Sequence, residues 1–81
     1  MNFFLMSKHS NIHENVLFNA KNLYELIHEE KHIDVLFNDY ANREGILLNL
    51  NIERVLYLSL VFLYSLNLII LKNNMVKKVI R

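Results

Sequence analysis

Between His13 and Glu29 the apolar residues recur at steps of three and four. Val16, Leu17, Ala20, Leu23, Tyr24 and Ile27 form the stripe of an amphipathic helix. Asn11 or Ser10 is placed to cap it, and Glu14 falls in its first turn, where a carboxylate meets the positive end of the helix dipole. A second helix is predicted from about Asp34 to Arg43. Asp34 is its expected cap, Val35, Leu36, Phe37 and Tyr40 form its apolar face, and Gly45 is positioned to end it in a left-handed conformation. A third helix starts near Asn51, another capping residue type, and runs to about Leu66.

Beyond that point the period changes. Asn67 is a helix stop, because asparagine tolerates the left-handed backbone that terminates helices. Leu68 to Lys72 and Met75 to Ile80 then read as strands, and Asn73-Asn74 between them suits a tight hairpin turn. Residues 1–6 are apolar and read as an extended arm or edge strand, followed by a polar loop over residues 7–11. The expected fold is therefore α+β and mainly α: three helices followed by a C-terminal β-hairpin, winged-helix-like. It forms one domain over residues 1–81 with a short N-terminal arm.

Composition narrows the class. The chain has 81 residues, no cysteine and no proline, so neither a disulfide framework nor a thiolate metal site supports so small a core. At 53% hydrophobic and 21% charged it is not a disordered tail. The net charge of +1 gives no general pull toward nucleic acid, but its distribution is uneven. The 8 acidic residues all lie between Glu14 and Glu53, whereas the C-terminus carries Lys72, Lys77, Lys78 and Arg81. Met1 to Met6 has neither a basic segment nor a small-residue cleavage site, so it does not read as a secretory signal, and a cytoplasmic location is expected.

Three segments invite a sharper reading. His28-Glu29-Glu30-Lys31-His32 matches HExxH, in which two histidines one helical turn apart bind zinc. Here two charged residues stand between Glu29 and His32, the motif falls at the expected end of the first helix, and a third ligand would have to come from His9, His13 or a scattered acid. No metal site is expected. The second segment, Val55 to Leu71, is uncharged over 17 residues, the lower limit for a membrane span. Ser59, Ser65 and Asn67 interrupt it and a strand pattern follows, so a buried helix is the better reading. Such a helix is apolar on all sides, and two short helices and a hairpin cover only one of them. The uncovered side is an expected partner surface, with Tyr57, Val61 and Tyr64, one helical turn apart, as its residues.

The third segment is the basic hairpin, where Lys77, Lys78 and Arg81 are candidates for phosphate contact. The helix before it offers DNA bases little beyond Arg54. No nucleophile constellation and no glycine-rich phosphate loop occurs, so no catalytic residue, cofactor or enzymatic activity is expected.

Several stretches resemble a family. Ser7-Lys-His9, Asn15-Val-Leu-Phe-Asn-Ala-Lys-Asn-Leu23, Ile33-Asp-Val-Leu-Phe37 and the closing run from Ile52 to Ile69 are similar to the small middle components of ABC-three-component systems, which include Lamassu-like anti-phage defence. In that family the closing helix turns into the hairpin through a leucine-tyrosine-x-leucine-glycine-x-isoleucine pattern. Leu63-Tyr64-Ser65-Leu66-Asn67-Leu68-Ile69 follows it with Asn67 in place of the glycine. The resemblance implies a non-catalytic, winged-helix-like adaptor. Its implied partners are an ATPase of the structural-maintenance-of-chromosomes (SMC) type and an effector, often a nuclease, with DNA reached through the complex and no membrane contact. The alternatives are a winged-helix DNA-binding regulator and a small single-pass membrane protein.

Overall fold

The computed structural model describes residues 15–80. In chain order the elements are α1 (Val16–Leu26), β1 (Lys31–His32), α2 (Ile33–Glu44), α3 (Leu50–Ser65), β2 (Ile69–Lys72) and β3 (Met75–Lys78). The strands form one antiparallel sheet in the order β1-β3-β2. The expected fold class holds: three helices, then a hairpin, mainly α. The sequence reading did not contain β1. It is two residues long, with Lys31 paired to Val76 and His32 to Met75. Its pairing completes the helix–strand–helix–helix–hairpin order of a winged helix.

Each helix starts and stops for a local reason, and several of these differ from expectation. Asn15, not Asn11 or Ser10, caps α1. Its side chain accepts the Phe18 amide at 2.8 Å, so the helix begins at Val16 rather than near His13. Ser10, Asn11, Glu14 and the expected arm over residues 1–6 lie outside the described residues. At its other end α1 stops at Leu26, short of Glu29, because Ile27 takes an extended conformation and is fully buried. Leaving the helix there drives Ile27 into the core and carries the chain toward β3.

Asp34 lies inside the first turn of α2 and does not cap it. His32 holds the cap position without a side-chain bond. The freed Ile33 amide instead donates to the Asn74 carbonyl at 2.9 Å, so the hairpin turn does the work of a cap. Gly45 ends α2 at φ 67°, as expected, and nothing crowds its missing Cβ, so the backbone angle alone selects glycine. Asn49 rather than Asn51 caps α3, accepting the Ile52 amide at 2.9 Å.

The end of α3 follows the sequence closely. Asn67 has φ 61°, Leu68 N donates to Leu63 O at 3.1 Å, and Asn67 N donates to Tyr64 O at 2.9 Å. Both bonds belong to a Schellman stop. Asn73 and Asn74 have φ of 54° and 62°, the two left-handed residues of a type I′ hairpin turn.

The core is built where the elements meet. Leu23 and Ala20 of α1, Leu36, Phe37 and Tyr40 of α2, Leu56, Leu60 and Leu63 of α3, with Ile27, Ile69 and Val76, form one buried cluster. Two expected core positions face solvent instead: Leu17 and Val35 are exposed. Two of the polar groups inside the core are matched, while the buried Asn22 Nδ2 finds no hydrogen-bond partner. The Tyr40 hydroxyl donates to Asn19 Oδ1, and the Ser59 hydroxyl donates to the Val55 carbonyl at 2.8 Å. Lys31 holds the end of α1 to α2, with Nζ 2.9 Å from Asp39 Oδ2 and 3.2 Å from the Leu26 carbonyl. Arg43 reaches Glu25 at 3.2 Å between exposed side chains, a contact worth about 1 kcal/mol or less.

Tyr40 gives the fold a pH dependence. Burial, and secondarily the nearby Glu44 carboxylate, push its hydroxyl pKa up from 10.0 to about 12. A raised folded pKa means that the native state keeps a proton the unfolded chain has lost. The stabilisation is therefore complete below pH 10 and is lost as pH rises toward 12. Chemical denaturation at stepped pH should show this decline in the wild type. In Tyr40→Phe, which has no ionising hydroxyl, the decline over the same window should be shallower, although the variant starts less stable because Asn19 loses its donor. Equal slopes for the two proteins would refute the assignment.

Candidate protein-interaction face on the third helix

Helix α3 packs chiefly on α1, through Leu56, Ser59, Leu60 and Leu63. These inward residues fix which side faces out, a choice that periodicity alone left open. The outward stripe is Leu50, Arg54, Tyr57, Val61 and Tyr64, flanked by Leu58, and every one of these is exposed. Tyr57 is 48% exposed, Val61 56% and Tyr64 53%. The three residues expected at the partner surface are thus brought together on one open face. Leu66 and Ile70 beyond the end of the helix, and Leu47 in the preceding loop, are exposed as well.

Tyr57 is the least free of the three. Its ring meets Phe37 of α2 edge-on, with centroids 4.9 Å apart and planes at 80°. That contact fixes the ring and couples it to the core. Arg54 was noted in the sequence only as a cation, and Leu50 was not singled out. A readable signal existed for both: positions 50, 54, 57, 61 and 64 are spaced four, three, four, three.

The basic hairpin is less uniform than its sequence suggests. Lys77 is exposed on the outer face of the sheet, across from Ile70. Lys78 points the other way. Its Nζ sits 4.3 Å from the centre of the Tyr24 ring, a cation–π contact that occupies it inside the fold. Arg81 lies outside the described residues. The three candidates for phosphate contact therefore do not form one patch among the described residues.

The HExxH segment is not helical. His28 and Glu29 lie in a bend, while Lys31 and His32 form β1. The two histidines consequently lack the one-turn spacing that gives the motif its chemistry. Lys31 is committed to Asp39, and His9 and His13 lie outside the described residues. Among the described residues no group of three or more His, Cys, Asp or Glu stands close enough to hold a metal ion. His28→Ala with His32→Ala should leave the melting temperature unchanged, with or without equimolar zinc. A rise with zinc in the wild type that the double variant loses would restore the metal reading.

No helix among the described residues is long and apolar enough to cross a membrane; α3 has 16 residues.

No family model matches the chain. No solved structure matches it either. Among curated proteins it is similar to "Uncharacterized protein YydC" of Bacillus subtilis (strain 168), at 55% identity over 78 residues. The alignment takes in 96% of this chain and 59% of YydC, so the chain spans about three fifths of that relative's length.

Proposed function

We propose that this protein is a non-catalytic adaptor of a bacterial anti-phage defence complex, bridging an SMC-type ATPase and an effector, most often a nuclease, in the cytoplasm. The observation that carries the binding role is the open apolar stripe on α3: Tyr57, Val61 and Tyr64 exposed side by side on a rigid helix. Aromatic residues in such a patch are frequent binding anchors. The identity of the partners rests on the resemblance to middle components of ABC-three-component systems, whose closing pattern Leu63 to Ile69 forms here the helix stop and entry to the hairpin.

The rival is a DNA-binding regulator. Winged helices commonly present the third helix to the major groove, where base edges ask for polar and cationic side chains. In this chain that face holds leucine, valine and tyrosine around a single arginine. The features favour a protein partner over base readout, leaving Lys77 to add nonspecific phosphate contact.

The test is co-expression with the products of the neighbouring genes, among which the adaptor reading expects an ATPase and an effector. The adaptor reading expects all three to co-purify, and a chain that elutes alone at every salt concentration would refute it.

A further inference from the structure

We propose that the outward face of α3 receives one amphipathic α-helix of a partner chain, and that a carboxylate of this helix lies opposite Arg54. The inference rests on the adaptor reading and names the chemistry of the docked segment.

Two observations support it. The first is geometric. Leu50, Arg54, Tyr57, Val61 and Tyr64 repeat at four, three, four and three residues and all face outward. This is the spacing of a coiled-coil seam, whose ridges accept side chains of a second helix with the axes about 8–10 Å apart. An extended peptide, with side chains alternating every second residue, does not match it. The 16 residues of α3 give the seam a length of about 24 Å, which asks for a partner helix of about four turns.

The second observation is electrostatic. Arg54 is the second of the five seam positions, between Leu50 and Tyr57, and is exposed. It takes part in none of the ion pairs found among the described residues, which join Lys31 to Asp39 and Arg43 to Glu25 and Glu44. Covering the seam without supplying an anion would strip water from a lone guanidinium, so the covering chain must bring a carboxylate. A second copy of this chain cannot do so from the same stripe. In a parallel pairing Arg54 meets its own twin. In an antiparallel pairing centred on Tyr57 it meets Tyr57 and Val61 of the other copy, and the stripe holds no acid. Charge complementarity therefore selects a different chain.

The test uses two synthetic amphipathic helices of about three heptads with leucine at the seam positions. One carries Glu and the other Lys at the seam position that falls opposite Arg54. Binding to the full chain is read by fluorescence anisotropy, with circular dichroism as the control for fold. The Glu peptide should bind at least about tenfold more tightly than the Lys peptide, since like charges brought together in an interface are strongly penalised. Arg54→Glu should reverse the order, and Val61→Asp should abolish binding of both while helix content stays unchanged.

Absence of binding by both peptides, or a preference unaffected by Arg54→Glu, overturns the proposal. So does a wild-type dimer in sedimentation that Val61→Asp dissolves, which would make a second copy the occupant. Binding to anionic lipid vesicles that Val61→Asp removes would make it a lipid surface and overturn the proposal equally. Co-purification with the ATPase distinguishes this failure from failure of the adaptor reading. If the complex forms and the peptides do not bind, only the docked helix is wrong. If the peptides bind in the expected order and no complex forms, the helix-docking face stands and the adaptor role falls.

Discussion

Leu60→Ala should cost about 2–5 kcal/mol of folding stability, while Val61→Ala, one residue further, should cost less than about 0.5 kcal/mol. The contrast follows from position alone. Leu60 is 1% exposed and sits in the cluster with Leu23, Leu36 and Val76. Val61 is 56% exposed, about 100° further round the same helix. Removing Leu60's side chain loses its transfer free energy and leaves a cavity that α1 and α3, braced by the sheet, can only partly close. A domain of this size has only about 4–12 kcal/mol in total, so the loss is a large share of its stability. Urea titrations of the two variants beside the wild type measure the difference. Similar midpoints for both variants would mean that α3 is rotated relative to the orientation described here.

Much of the fold is legible in particular residues. Asn67 and the Asn73-Asn74 pair announce left-handed backbone, and that is where the helix ends and the hairpin turns. Gly45 does the same for α2. What was illegible has two physical causes. Caps compete locally: the chain offers many asparagines, and propensity does not say which of two nearby candidates reaches the free amide. Asn15 and Asn49 do so, while Asn51 lies within α3. Tertiary pairing also overrides local pattern. Lys31 and His32 carry no strand signal of their own, yet β3 recruits them, and α1 ends early to allow it. The same recruitment removes the helical geometry that HExxH would need.

The exposed face of α3 was legible in part and for a definite reason. An all-apolar helix on a small domain has to leave one side open, which the sequence states. Which side is open depends on where α1 packs, which it does not. The buried set Leu56, Ser59, Leu60 and Leu63 decides the matter, and Ser59 contributes a polar mark on the inward face through its bond to Val55. Leu17 and Val35 show the converse error, in which a stripe drawn from spacing is wider than the contact that covers it.

Val61→Asp with Tyr64→Asp should abolish co-purification with the proposed ATPase and effector while leaving the circular dichroism spectrum of the isolated chain unchanged. Both side chains are more than half exposed, so the carboxylates are solvated in the free protein and cost the fold little. In the complex the same two charges would be buried against an apolar surface without partners, and desolvation of each is expensive enough to eliminate a moderate interface. Tyr57→Asp is the weaker choice, although it lies on the same stripe. Its ring packs edge-on against Phe37 at 4.9 Å, so its loss disturbs the α2–α3 contact and confounds binding with folding. Tyr57→Phe keeps that contact and is the suitable control at this position. Loss of helix content together with binding in the Val61 and Tyr64 variant would mean that the stripe is part of the core. Full retention of both would move the partner surface elsewhere, with the exposed Leu66 and Ile70 at the start of the hairpin as the next site to substitute.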